Sequence, residues 1–204
     1  MEKNKVKGIK EFYDDTAMMW TDEWYENTTM MPFLEKVVSL LPKGAKVLDL
    51  GCNSGYETRR MKNLGLDVVG LDFSEKSIGI AKDRNKDIKF VCDNMLNDLT
   101  YLGKFDSIVA IASIIHIPVD SLELCFKRIY DILEDNGYLC MVVRYEEGKL
   151  DASYKTIDNQ EYDREVYGFS KSLMESKMNN KFLFVEEMKA HDEHWKYYFY
   201  KKIG

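Results

Sequence analysis

No apolar stretch of this 204-residue sequence approaches the length of a membrane span, so no bilayer-crossing helix is expected. Its charged opening, Met1-Glu2-Lys3-Asn4-Lys5, also lacks the apolar segment of a signal peptide. Both absences predict a chain that stays soluble in the cytoplasm. Cysteine is sparse: Cys52, Cys92, Cys125 and Cys140 fall on a predicted turn, two strands and a helix. That scatter excludes a zinc run or a disulfide framework and fits reduced thiols. Of three histidines, His191 and His194 form the one close pair, and two histidines without a third placed ligand suit a loop better than a metal. No metal is expected. Basic residues are not in excess either, and a net charge of -6 argues against a nucleic-acid footprint. Internal repeats and low-complexity tracts are absent.

Two nucleotide-binding signatures are missing as well. A dinucleotide fingerprint needs glycine at its first, third and sixth positions, where this chain has Gly51, Asn53 and Tyr56. The Gly-Lys-Ser/Thr ending of a phosphate loop is not present; Arg59 and Arg60 occur instead. A nicotinamide oxidoreductase is therefore the weakest of the enzyme readings.

What is there begins at Val47-Leu48-Asp49-Leu50-Gly51-Cys52-Asn53-Ser54-Gly55, an apolar strand breaking into a glycine-bounded turn. A helix should start near Tyr56. Such a unit aims free N–H groups at a ligand in the crevice above it. A second strand, Asp67 to Asp72, ends in a carboxylate about twenty residues past the first glycine, the spacing at which a ribose diol is held. A third, Ile88 to Cys92, runs into Asp93-Asn94-Met95, and a fourth, Phe105 to Ile111, into Ala112 and Ser113-Ile114-Ile115-His116-Ile117-Pro118. Singly, Asp49, Asp72 and Asp93 read as solvated strand-end carboxylates; at matching strand ends they read as one ligand edge.

This order of strand ends resembles the class I S-adenosylmethionine-dependent methyltransferases, particularly the small-molecule type, over roughly Tyr13 to Lys202. The resemblance implies an α/β fold: a doubly wound, Rossmann-like, mostly parallel sheet of seven strands in the order 3-2-1-4-5-7-6, the last antiparallel, with helices on both faces. It implies S-adenosylmethionine as cofactor. The turn from Gly51 through Cys52 and Asn53 to Gly55 would face its methionine part, with Asp49 helping to hold the amino group. Asp72 would bind the ribose hydroxyls, Phe73 would flank the adenine, and Asp93 would accept from its amino group. Backbone around Asn94, Met95 and Ala110 would complete the pocket, and an aromatic near Tyr13 or Trp20 would border the methyl. Asn53 stands where the family usually has glycine, and Asp135-Asn136-Gly137 replaces its Pro-Gly-Gly turn; asparagine tolerates left-handed backbone, so both are permitted.

With 45% hydrophobic residues, 204 positions suit one well-buried domain. It divides into a helical lid at 1–42, a cofactor-binding core at 43–144, and a substrate-side segment with a C-terminal hairpin at 145–204. Asp120-Ser121-Leu122-Glu123 matches a capping box for a helix that Gly137 stops, ahead of a strand from Tyr138 to Arg144. Ser170 caps a helix to about Met178, and Lys181–Lys189 and Trp195–Lys201 form the hairpin. Between Phe12 and Leu41 lie Tyr13, Trp20, Trp24, Met18, Met19, Met30 and Met31; they form a lid or simply pack on the sheet. Between Tyr145 and Phe169, acids alternate with Tyr154, Tyr162 and Tyr167, which suits either a cationic substrate or a solvated connection.

Methyl transfer from a sulfonium is an in-line displacement, so alignment alone is worth about 7–11 kcal/mol. A hydroxyl or ammonium acceptor would also need a base, and His116, just past the fourth strand, is the candidate; its alternative role is to brace the Pro118 turn. Cys52 near a helix N-terminus lacks the partners of a nucleophile. The expected activity is methyl transfer to a small-molecule acceptor at O, N or C, by a monomer or homodimer. The rival of another class is a non-catalytic module that binds the cofactor for regulation.

Overall fold

The computed structural model describes residues 6–204, and the charged run Met1–Lys5 lies outside them. Two helices come first, α1 (Ile9–Trp24) and α2 (Met31–Ser39). Strands and helices then alternate: β1 (Lys46–Leu50), α3 (Tyr56–Asn63), β2 (Asp67–Asp72), α4 (Glu75–Arg84), β3 (Lys89–Cys92), β4 (Phe105–Ile111), α5 (Leu122–Ile132) and β5 (Leu133–Arg144). Four short strands follow, β6 (Gly148–Lys149), β7 (Tyr154–Ile157), β8 (Gln160–Asp163) and β9 (Tyr167–Gly168), then α6 (Lys171–Lys177), β10 (Phe182–Lys189) and β11 (Trp195–Lys202).

Seven strands make one sheet in the order β3-β2-β1-β4-β5-β11-β10. The ladders from β3 to β5 are parallel, and β11 runs antiparallel to both its neighbours. This is the expected order with the final strand reversed. Burial on both faces follows from the strand sequences. Leu48, Leu50, Ile108 and Ala110 pack with Phe126 and Ile129 of α5, while Val47 and Val109 pack with Phe33, Leu34 and Val37 of α2 and Met61 of α3. Near-continuous apolar strands are what a sheet covered on both faces requires.

Three boundaries differ from expectation. Helix α5 stops at Ile132, not at Gly137, because the chain passes directly into β5; the expected stop lies inside an irregular stretch where Phe105 faces Leu133 but Ser107 faces Tyr138. Asn136 takes a positive φ of 65° there. The capping box is not made: Val119–Ser121 forms a 3-10 turn, and no side chain caps α5. The segment 145–169 is more than a polar connection, since β6 pairs with β9 and β7 with β8. Tyr162 of β8 packs edge-on against Phe12 of α1, with ring centroids 5.4 Å apart, so this segment and α1 brace one another.

Candidate cofactor and acceptor site

Parallel strands leave a crevice at their carboxyl ends where neighbouring connections run to opposite faces. Here β1 and β4 are those strands, and a cavity of about 690 Å³ opens above them under α1. Ten of the expected residues border it: Tyr13 and Trp20 from α1; Gly51 and Asn53 after β1; Asp72 and Phe73 after β2; Asp93, Asn94 and Met95 after β3; and His116 after β4.

Four do not reach its wall. Asp49 is buried and accepts a 2.5 Å hydrogen bond from Thr58 Oγ1 of α3. Burial pushes it up to about 7 against that bond, and the nearby Glu57 and Asp72 add to the rise. Through this bond it ties β1 to α3. Cys52 packs with Ile78, Ala81, Ile88 and Phe90, and burial drives its thiol well above the ordinary range, so it is no nucleophile. Gly55 is the N-cap of α3, and Ala110 lies wholly inside the core.

Gly51 has φ 86°, and a Cβ there would collide with the Cβ of Ser113, whose hydroxyl donates 2.5 Å to the Leu50 carbonyl. Glycine at this position is thus demanded by the β1–β4 crossing itself. Gly65, at φ 94°, has nothing near its missing Cβ. Gly65→Ala should cost about 1–2 kcal/mol for left-handed backbone alone, and Gly51→Ala about 1–3 kcal/mol more for the overlap. Urea denaturation of the two variants measures the difference; equal losses would remove the Ser113 contact as the cause.

Asn53 fills the usual glycine position with φ 49°, and its side-chain Oδ1 accepts 2.7 Å from the Ser54 N–H. Its own N–H donates 2.9 Å to Asp72 Oδ2, while the Ser74 N–H donates 2.9 Å to Oδ1. Each carboxylate oxygen so engaged keeps a lone pair. Burial pushes Asp72 up to about 6 despite the N–H groups of Ser74, Asn53 and Phe73. A ligand diol donating to the carboxylate favours the ionised form, so affinity should be full above that value and fall as pH drops through about 6. Titrations from pH 8 to 5 measure it; a flat profile would exclude ionised Asp72 as the partner.

Asp93 differs. Burial would raise it, but the Tyr101 hydroxyl, the Asn97 amide and the Asn94 N–H together hold it below the ordinary carboxylate range. Those same donors occupy its oxygens, Tyr101 at 2.6 Å and the other two at 2.7 Å.

Tyr13, edge-on to Phe73 at 6.0 Å between centroids, also meets His116. The Tyr13 hydroxyl lies 2.7 Å from His116 Nε2, and Nδ1 lies 2.8 Å from the Glu165 carbonyl. A carbonyl only accepts, so Nδ1 carries the proton and Nε2 accepts from Tyr13. Burial lowers the imidazole to about 4 and raises the Tyr13 phenol to about 12. Both are neutral at pH 7.

Sequence reading missed several wall residues, among them Tyr56, Glu57, Arg164, His191 and Trp195. Arg164 lies in the acid-rich connection and carries no motif; only the packing of β7–β8 on α1 brings it over the Phe12 ring. None of the acids between 145 and 169 borders the cavity. Glu146 contacts Arg144 and His194, and Asp163 pairs with Lys149. Trp24 and Met30 also line it, whereas Met18 and Met19 of the same aromatic- and methionine-rich stretch face solvent. Among the described residues no group of three His, Cys, Asp or Glu is placed to hold a metal.

Residues 47–137, from β1 into β5, match the sequence profile of a methyltransferase domain. Over those residues, somewhat less than half of its length, the chain is similar to methyltransferase domains. The ubiquinone biosynthesis O-methyltransferase of Pelagibacter ubique is 35% identical to it over 103 residues, 48% of this chain and 41% of that protein. The carboxy-S-adenosyl-L-methionine synthase of Campylobacter concisus is 30% identical over 141 residues, 66% of this chain and 59% of that protein. The chain thus spans about half the length of these relatives. The crystal structure of 1,6-didemethyltoxoflavin-N1-methyltransferase from Burkholderia thailandensis, with 1,6-didemethyltoxoflavin and S-adenosylhomocysteine bound, superposes with a TM-score of 0.72 at 17% identity. That superposition covers 96% of this chain and 87% of the other, and shows that the two share a fold.

Proposed function

We propose that the protein binds S-adenosylmethionine in this cavity and transfers its methyl group to a small-molecule acceptor, releasing S-adenosylhomocysteine. The observation that carries the reading is the meeting, in one cavity, of Asp72 with lone pairs to spare and a neutral Tyr13–His116 pair under α1. The donor set fits the cofactor: a carboxylate suited to a ribose diol, an aromatic and a thioether (Phe73, Met95) suited to a flat base, and a tight turn after β1.

When bound, the cofactor supplies an electrophilic methyl on a sulfonium. Asp72 accepts from the ribose hydroxyls, and Phe73 with Met95 brackets the adenine. Asp93 accepts twice at Oδ1 and once, from Tyr101, at Oδ2, so Oδ2 is the oxygen left for the adenine amino group, with the backbone of Asn94 and Met95 beside it. Of residues 1–42, expected as a helical lid, α2 packs into the core against β1 and β4; α1 acts as the lid that excludes water, residues 43–144 hold the cofactor, and 145–204 complete the acceptor side.

His116 does not meet the acceptor directly. An acceptor hydroxyl donates to Tyr13 Oη, and the Tyr13 proton passes to Nε2, with the Glu165 carbonyl steadying Nδ1. Burial and Arg164 disfavour the resulting imidazolium.

No described helix is long and apolar enough to cross a membrane; we place the enzyme in the cytoplasm, acting as a monomer or homodimer on a small molecule and not on nucleic acid. A metabolite extract incubated with protein and donor labelled at the methyl should yield a labelled small product. Binding of donor with no labelled product from any extract would favour a regulatory module.

A further inference from the structure

Three carboxylates border the cavity: Asp72, Asp93 and Glu57. Those of Asp72 and Asp93 are engaged by their own surroundings, as described above. Glu57, in the first turn of α3, is 4% exposed. Arg60, one turn on, pairs with Oε1 through Nη1 at 3.0 Å and opposes the rise that burial gives the Glu57 carboxyl, so among the described residues Oε2 is the oxygen left without a partner. The Nη2 of Arg60 is held by the carbonyls of Trp24 and Tyr25. Arg60 offsets part of the desolvation cost of the carboxylate, and the unpartnered oxygen keeps the rest until a donor reaches it.

The wall on this side is aromatic. Trp24 stacks on Tyr56 with centroids 6.4 Å apart, and His191 on Trp195 at 6.1 Å; all four line the cavity. Tyr197, whose hydroxyl bonds His191 Nδ1 at 3.0 Å, senses the charge of Glu57. Position along the sheet separates this compartment from the cofactor's nucleoside end. Asp93 and Asp72 follow β3 and β2, whereas Val142 and Trp195 lie on β5 and β11, across β1 and β4. A cofactor with its ribose at Asp72 and its methionine over the β1 turn leaves the β5–β11 side to the acceptor. A buried carboxylate that keeps one oxygen unpartnered among π-faces is the recognition chemistry of an organic cation.

We infer that Glu57 and the aromatic walls beside it hold a cationic nitrogen of the acceptor, so that the methylated compound is an amine or carries one. Glu57 anchors this nitrogen and is assigned no proton transfer. The word acceptor rests on the methyltransferase reading; the cation site does not.

The test titrates protein saturated with S-adenosylhomocysteine with phenethylamine and with 2-phenylethanol, which share a skeleton and differ in charge. The amine should bind at least tenfold tighter. Glu57→Gln should erase that advantage while keeping S-adenosylhomocysteine affinity within twofold. Equal binding of amine and alcohol, or an undiminished preference in Glu57→Gln, overturns the inference. So does a Glu57→Gln protein that loses affinity for S-adenosylhomocysteine, since the carboxylate would then serve the cofactor's own ammonium. The comparison on the unmodified protein needs no variant and decides the matter should Glu57→Gln not fold. Failure of S-adenosylhomocysteine itself to bind would instead strike the methyltransferase reading.

Discussion

Replacing His116 by alanine is expected to lower turnover by about 10²–10⁴, the usual contribution of a positioned proton acceptor, with S-adenosylhomocysteine affinity unchanged. Tyr13→Phe should fall in the same range, because the proton reaches Nε2 only through the Tyr13 hydroxyl, 2.7 Å away. The double variant should be little worse than either single one, since two residues of one relay are not additive. The pH dependence separates relay from scaffold. An imidazole at its unperturbed value would give an acid limb near 6.5; burial moves that limb to about 4. Between those values the chemical step should stay flat in unmodified protein at saturating cofactor. Normal turnover in His116→Ala would assign the residue to bracing the loop before Pro118. So would a loss that tracks unfolding in a thermal melt.

The second large effect is expected at Asp72. Asp72→Ala should weaken S-adenosylhomocysteine binding by about 2–3 kcal/mol, the range for removing a charged partner of buried hydrogen bonds. Part of that loss is structural, because the carboxylate also joins the Asn53 and Ser74 N–H groups across the two turns. Asp72→Asn separates the parts: its one amide oxygen can serve one of those N–H groups but cannot accept from both ribose hydroxyls as well. Calorimetric titration of both variants should show the cofactor loss in each, with the larger drop in melting temperature confined to alanine. An unchanged dissociation constant in Asp72→Ala would remove it from the ribose role.

The sheet was legible because its strands are short apolar runs ending in Asp49-Leu50-Gly51, Asp72, Asp93 and Ser113, and a parallel sheet leaves such ends on one edge. Local patterns failed where tertiary packing competed with them. The Asp120–Glu123 capping box lost to a 3-10 turn after Pro118, and the helix stop at Gly137 was overridden by strand pairing that begins at Leu133. In the site, residues whose backbone faces the crevice were readable from spacing. Side-chain direction was not: Asp49 turns down to Thr58, and Glu57, three residues into no motif of its own, turns up beside the cavity. Arg164 and the Glu165 carbonyl were unreadable, since they reach Tyr13 and His116 only through the β7–β8 hairpin packed on α1.

One titration tests the central claim most directly: calorimetry of the protein with S-adenosylhomocysteine and, separately, with NAD. The turn after β1 has Asn53 and Tyr56 where a pyrophosphate needs glycine, and Asp72, the proposed ribose partner, accepts from the Asn53 N–H at its back. The account predicts saturable one-to-one binding of S-adenosylhomocysteine that Asp72→Ala weakens, and no measurable binding of NAD. Comparable affinity for NAD, or no binding of S-adenosylhomocysteine by folded protein, would contradict it.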